Sequence, residues 1–231
     1  MGLGHSPRIV TDGLVLCLDA ANSRSYPKTG TTWTDLKGGN NGTLTNMAGA
    51  NFSSDNGGSL IFDGSDDYVI ASYQASPEIT VVSNVRFDSF TGASVTKNWG
   101  DNLRGAFHFD ASTLGSGYLA LFIYAGAQIS IKDPTQMSIG KWYQVGLRIS
   151  NSKYQIIRDG NIVAEGSHGG LSILDRPNLG IGVKLNNDGT TADTNFPKYL
   201  DGQISNVVAY NRALTADEIR QNYLATKERY A

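Results

Sequence analysis

"WYQVGLRIS", Trp142–Ser150, followed closely by "KYQIIRDGNIVAEG", Lys153–Gly166, decides the fold class. Tyr143, Val145, Leu147 and Ile149 alternate with Gln144, Gly146, Arg148 and Ser150. This period of two turns one face of a strand to a core and leaves the other wet. In the second run Asp159-Gly160 separates two apolar segments. Both central residues of a type I′ turn need positive φ, so the pair predicts a β-hairpin. Outward from this hairpin, similar runs bounded by turn residues occur at Gly13–Asp19, Ser59–Asp63, Tyr68–Ala71, Ile79–Phe87, Ala106–Asp110, Tyr118–Tyr124 and Gln128–Lys132. Trp142–Ser150, Tyr154–Arg158, Ile162–Glu165, Leu179–Val183 and Gly202–Tyr210 complete the set. About a dozen short strands with almost no helix predict an all-β sandwich or barrel.

Composition agrees. The 231 residues are 40% hydrophobic and 17% charged, enough for one large core, and 27 glycines mark a turn-rich chain. Residues 1–12 read as an N-terminal arm and 13–231 as a single domain. A formal charge of -2 without a basic cluster excludes a phosphate-neutralising surface, hence no nucleic acid. No apolar run reaches the length of a membrane span, so no membrane insertion is expected. The opening "MGLGHSPRIVTDGLVLCLDA" lacks the basic and apolar regions of a signal peptide, which predicts assembly in a cytoplasm. The lone Cys17 excludes an internal disulfide and, within an apolar run, reads as a small buried hydrophobe.

Only the tail reads as a short C-terminal α-helix. Thr215 and Glu218 form a capping box, Leu214 can staple onto Ile219 or its neighbours, and Ile219 and Tyr223 share a face. Three polar, glycine-rich stretches, Asn22–Asn46, Thr96–Arg104 and Asn186–Lys198, read as long loops of the kind that carry function.

"GGSLIFDGSDDYV" at Gly57–Val69, Gly140–Val163 around the hairpin, and "YLDGQISNVVAYNRALTADEI" at Tyr199–Ile219 together resemble the concanavalin A-like lectin/glucanase superfamily, in its laminin G-like and pentraxin-like branch. Gly13–Leu44 further resembles the start of such domains in structural proteins of tailed, cyanophage-like bacteriophages. The resemblance implies a jelly-roll sandwich of two curved antiparallel sheets, binding ligands on a concave face or loop rim, often beside calcium. It also marks a departure, since Ser205-Asn206 stand where the family commonly has an acid.

The candidate sites follow from side-chain chemistry. The superfamily's glucanases resemble retaining glycosidases, whose carboxylates stand about 5–5.5 Å apart. Glu78, Glu165, Glu218 and Glu228 have no acid at the required i+2 or i+4 spacing. Adjacent Asp66 and Asp67 would point to opposite faces of an extended chain, so no catalytic residues are assigned. His5, His108 and His168 carry no nucleophile or zinc signature. Calcium suits oxygen-rich loops, and Asp66 and Asp67 occupy the position of calcium-binding acids in the pentraxin-like motif. Asp188 and Asp193, with Asn186 and Asn187, could add oxygens, and the alternative is that all of these only shape turns. For carbohydrate, "TKNWGDNLRG" offers Trp99 as an aromatic plate with Asn98, Asp101, Asn102 and Arg104, or else Trp99 tucks under its loop. His108, between Phe107 and Phe109, could line a concave ligand face or be structural. Trp142 and Trp33 are assigned to packing.

These readings lead to a non-catalytic phage virion protein, a capsid decoration, head-fibre or tail-fibre knob, with other virion proteins and host-surface glycans as partners and a homo-oligomeric state. The alternative is a calcium-dependent lectin module unrelated to a virion, and the third reading is a glucanase-type hydrolase.

Overall fold

The computed structural model describes residues 7–47, 51–73, 76–97, 107–171, 178–186, 189–196 and 198–230. Its strands are β1 (Leu14–Asp19), β2 (Thr32–Trp33), β3 (Gly42–Thr45), β4 (Phe52–Ser53), β5 (Ser59–Asp63), β6 (Tyr68–Ser72), β7 (Ile79–Phe87) and β8 (Ser94–Lys97). They continue with β9 (Phe107–Asp110), β10 (Ala120–Tyr124), β11 (Gln128–Lys132), β12 (Trp142–Ile149), β13 (Lys153–Arg158), β14 (Asn161–Ser167), β15 (Asn178–Ile181) and β16 (Asp201–Tyr210). The helix α1 (Ala216–Thr226) follows.

Two antiparallel sheets of eight strands result. The first is ordered β14-β13-β12-β7-β16-β5-β4, with β1 also on β16, and the second β11-β10-β9-β8-β15-β6-β3-β2. The core lies between them, where Val145, Leu147 and Ile149 of β12 meet residues such as Phe107, Phe109 and Leu121 of the second sheet. The hairpin predicted from Asp159-Gly160 forms between β13 and β14, with both residues at positive φ, 48° and 74°.

Two sequence expectations are corrected. Asn22–Asn46 is not one long loop, because β2 and β3 lie inside it as the edge of the second sheet. "TW" and "GTLT" are too short for periodicity to show, and β3 takes its register from β6, far along the chain. The second correction concerns β12, whose outer face is not wet. Gln144 is only 4% exposed, and Arg148 donates through Nε to Leu214 O at 2.6 Å.

That outer face is covered by α1. Thr215 Oγ1 accepts from Glu218 N and the Glu218 carboxylate accepts from Thr215 N, the expected capping box. Leu214 and Ile219 pack in one apolar cluster with Val82, Ile157 and Val208. The buried stripe of the helix is Ile219, Asn222 and Thr226, with Tyr223 half-buried beside it. The sheet beneath is polar at Asn84 and Asn206, so the helix meets it with polar groups. Asn84 Nδ2 donates to Asn206 Oδ1 at 2.9 Å and to Thr226 Oγ1 at 3.3 Å. Ser205 Oγ donates to Gly58 O, so the residues replacing the family's acid serve packing. Residues 8–10, within the segment read as an arm, lie against the same helix. Val10 N donates to Asn222 Oδ1 at 2.8 Å, and Gln221 Nε2 donates to Arg8 O at 2.7 Å.

Two outcomes are expected. Thr215→Ala lowers unfolding free energy by about 1 kcal/mol in urea denaturation. Hydrogen bonds from Arg212 and from Thr215 N hold the Glu218 carboxyl down at about 2, against an ordinary 4.5. Its contribution is therefore full above pH 4.5 and is lost as the pH falls toward about 2. Glu218→Gln removes that acid limb from the stability–pH curve, by an amount that solvent screening keeps small.

Candidate functional site

β9 reads Phe107, His108, Phe109, Asp110. The strand period sends both phenylalanines into the core and His108 and Asp110 to the opposite face of the second sheet. β10 alternates likewise, and register sets Phe122 opposite His108, their rings 5.8 Å apart and nearly parallel at 23°. Lys184, Phe196 and Lys198 border this face. Together they bound a cleft of about 250 Å³, with His108, Phe122 and Gln128 from the sheet, Thr113 from the following turn, and Lys184, Phe196 and Lys198 from the rim.

The polar groups form two fixed ion pairs. Asp110, fully buried, accepts from Ser112 N and Thr113 N at 3.0 Å each and from the Thr113 hydroxyl. Lys198 Nζ reaches the same carboxylate at 3.1 Å, and His108 Nε2 stands 3.3 Å from it. Burial pushes the Asp110 carboxyl up, but the charges of His108 and Lys198 and the Thr113 bonds outweigh it and hold it below the usual range. At the rim Lys184 Nζ pairs with Asp193 at 2.7 Å and lies 5.5 Å from the centre of the Phe196 ring, which is 70% exposed. The cleft thus offers the exposed Phe196 ring beside the buried His108 and Phe122, two positioned ammonium groups and an amide, and among the described residues its lining has no unbalanced carboxylate. Such a mixture binds polar ligands that have one apolar face.

Of the residues read as a carbohydrate site, His108 lines this cleft, whereas Asn98, Trp99, Asp101, Asn102 and Arg104 lie outside the described residues. Of the candidate metal ligands, Asp188 also lies outside them. Asp193 is committed to Lys184 and to the backbone N–H groups of Asn195 and Phe196. Asp66 and Asp67 sit in the β5–β6 turn with Asp63, which the sequence reading did not include, and ligand oxygens of the three lie within 4.8 Å of one another. Asp67 is 3% exposed while Asp66 is exposed, the opposed directions expected of neighbours and unsuited to an acid and nucleophile pair. Asp67 Oδ2 accepts from Asn51 Nδ2 at 2.6 Å and from Asp63 N at 3.2 Å. Burial, then the charge of Asp63, raises its carboxyl above the ordinary range. Three carboxylates this close together are the donor type that a divalent cation with oxygen ligands takes. Cys17, buried and raised to about 11 chiefly by burial, is no nucleophile.

Lys184, Phe196 and Lys198 escaped sequence reading, since only the tertiary path of their segment brings them to β9. Asp110 and Phe122 were legible in principle, through the alternation of "FHFD" and "LFIY".

Asp110→Asn leaves Lys198 and His108 without their buried countercharge and should cost on the order of 3 kcal/mol, less whatever solvent screens at partly exposed Lys198. Because the folded carboxyl is depressed, its contribution is present above the ordinary carboxylate range and disappears as the pH falls below it. Thermal unfolding across acid pH should show that limb flattened in the variant.

Comparison with known proteins bears on this architecture. The laminin G family described as the concanavalin A-like lectin/glucanases superfamily matches residues 62–220. No curated protein matches the chain. Domain 4 of AbnA, a GH43 extracellular arabinanase from Geobacillus stearothermophilus, solved with arabinotriose, superposes with a TM-score of 0.70 at 14% identity, covering 96% of this chain and all (100%) of that one. Trypanosoma rangeli sialidase in complex with sialic acid gives a TM-score of 0.62 at 18% identity over 96% of this chain, but only 34% of the sialidase. The heptameric SAP-like pentraxin of Limulus polyphemus gives 0.51 at 16% identity, covering 69% of this chain and 78% of that one. At these identities the structures share the fold, while the family match spans more than half of the chain. The protein belongs to the concanavalin A-like lectin/glucanases superfamily.

Proposed function

We propose that this domain is a non-catalytic carbohydrate-binding module whose ligand lies in the cleft over β9 and β10. The observation that carries this reading is the exposed Phe196 ring at the rim of a cleft lined by His108 and Phe122, together with the fixed ammonium groups of Lys184 and Lys198. A pyranose or furanose ring presents one apolar face to such a surface and hydroxyls to such donors. Structural neighbours solved with arabinotriose and sialic acid support the class of ligand. Support for a binding role rather than hydrolysis comes from Asp110, which is enclosed and committed to Lys198 and Thr113, and so offers neither a free acid nor a nucleophile.

A glycan array with the intact protein tests this. Phe196→Ala, at the exposed rim, should weaken binding by about fivefold to tenfold without changing the melting temperature, and Lys184→Met should weaken it similarly while lowering the melting temperature, because Asp193 loses its countercharge. Binding unaltered in both variants, or no glycan bound at all, would overturn the reading.

Two companion readings belong to the same proposal. The opening block Gly13–Leu44, which resembles phage structural domains, supports a virion knob displaying this cleft. Antibody labelling of purified particles should decorate them, and unlabelled particles would remove the virion role. The carboxylates of Asp63, Asp66 and Asp67 support calcium at the β5–β6 turn. Excess calcium should raise the melting temperature of the wild type, and Asp67→Asn should abolish the increment.

A further inference from the structure

We propose a second saccharide site, on the far side of the sandwich from the first, where the end of α1 meets β12. It does not rest on the cleft over β9, with which it shares no residue.

Trp142 and Gln144 alternate along the outer face of β12, and register places Asn84 of β7 beside Gln144. The Asp159 carboxylate comes from the β13–β14 turn and Tyr223 from α1, with Tyr230 closing the wall. The resulting cleft has a volume of about 310 Å³. Trp142, assigned to packing from sequence, is only half-buried and lies against Tyr230 with ring centres 4.8 Å apart. Its indole N–H is spoken for: with the Asn56 amide oxygen turned toward it, the distance is 2.8 Å. The ring, with Tyr230 against it, is part of the cleft lining.

The floor carries an imbalance that points to hydroxyl donors. Gln144 Nε2 donates to Thr226 Oγ1 at 3.3 Å, but Gln144 Oε1 is buried and has no partner among the described residues. The donors of Asn84 and Thr226 are committed elsewhere, since Asn84 Nδ2 serves Asn206 and Thr226, and Thr226 Oγ1 donates to Asn222 O. A buried acceptor left unpaired is costly, so a ligand hydroxyl that satisfies it gains more than one exchanged against water. Asp159 and Glu228 add acceptors, and Lys227, 3.5 Å from Glu228, adds a donor that is already neutralised. Aromatic faces with carboxylate and amide acceptors suit a neutral sugar, and the two carboxylates disfavour an acidic one.

The test is a ¹H–¹⁵N titration of the whole protein with arabinotriose and maltotriose as neutral probes and sialyllactose as the acidic probe. The Trp142 indole signal is identified by its loss in Trp142→Phe. A neutral trisaccharide should shift the Trp142 indole and Gln144 side-chain amide signals, and sialyllactose should leave them in place. Tyr223→Ala, at a half-exposed helix position, should weaken this response about tenfold, whereas Phe196→Ala should leave it intact. Neither neutral probe shifting these signals at about tenfold above a millimolar dissociation constant, or a response unchanged by Tyr223→Ala, would overturn the proposal. A Trp142 response without any response at His108 would uphold this site and count against the cleft over β9.

Discussion

β16 is hydrogen-bonded on both edges and buried on both faces, and the rest of the molecule is arranged around that constraint. One edge pairs with β7 for nearly its whole length, while the other is shared by β5 along Asp201–Ile204 and by β1 along Asn206–Tyr210. A strand with no wet surface requires layers above and below. The second sheet supplies one through Phe107, Phe109, Leu121 and their neighbours, and α1 with residues 8–10 supplies the other. Both ends of the described chain thus close over the same strand. Tyr210 Oη donates to Val10 O at 3.0 Å and Asn222 Nδ2 donates back to Tyr210 Oη at 3.0 Å, tying strand, opening segment and helix in one buried chain of bonds.

The two sheets solve the problem of their outer faces differently. On the first, the helix seals an apolar half around Val82, Ile157 and Val208 and meets a polar half with Asn222 and Thr226. On the second, no helix among the described residues covers β9 and β10, and Lys184, Phe196 and Lys198 border that face. The charged groups are balanced locally, Lys198 by Asp110 and Lys184 by Asp193, so the face can stay partly open without leaving a buried charge unpaired. Openness beside satisfied charge is what leaves the Phe196 ring exposed at the cleft.

Much of the sandwich was legible because its long strands carry the period of two over enough residues to be seen: β7, β12, β13 and β16 were read close to their limits. The Asp159-Gly160 turn and the Thr215 capping box were legible because each depends on residues adjacent in the chain. β2, β3, β4 and β8 were not, since they are short, carry no clear apolar alternation and take their pairing from neighbours elsewhere in the fold. The candidate cleft was half visible. His108 could be placed on a strand face, but Lys184, Phe196 and Lys198 reach that face only through the path of a segment without local pattern. Trp142 was assigned to packing through the family resemblance, and in the structure it is half-buried against Tyr230.

The sequence by itself determined the class of fold, the central hairpin, the capped terminal helix and the absence of a glycosidase pattern on any strand, all properties of local spacing and backbone preference. Only the tertiary structure decided that α1 meets the outer face of β12, that Asp63 joins Asp66 and Asp67, and that Asp110 with Lys198 underlies the cleft. Each of these depends on groups far apart in the chain, and their energies come from burial and charge proximity, which exist only once the two sheets have packed.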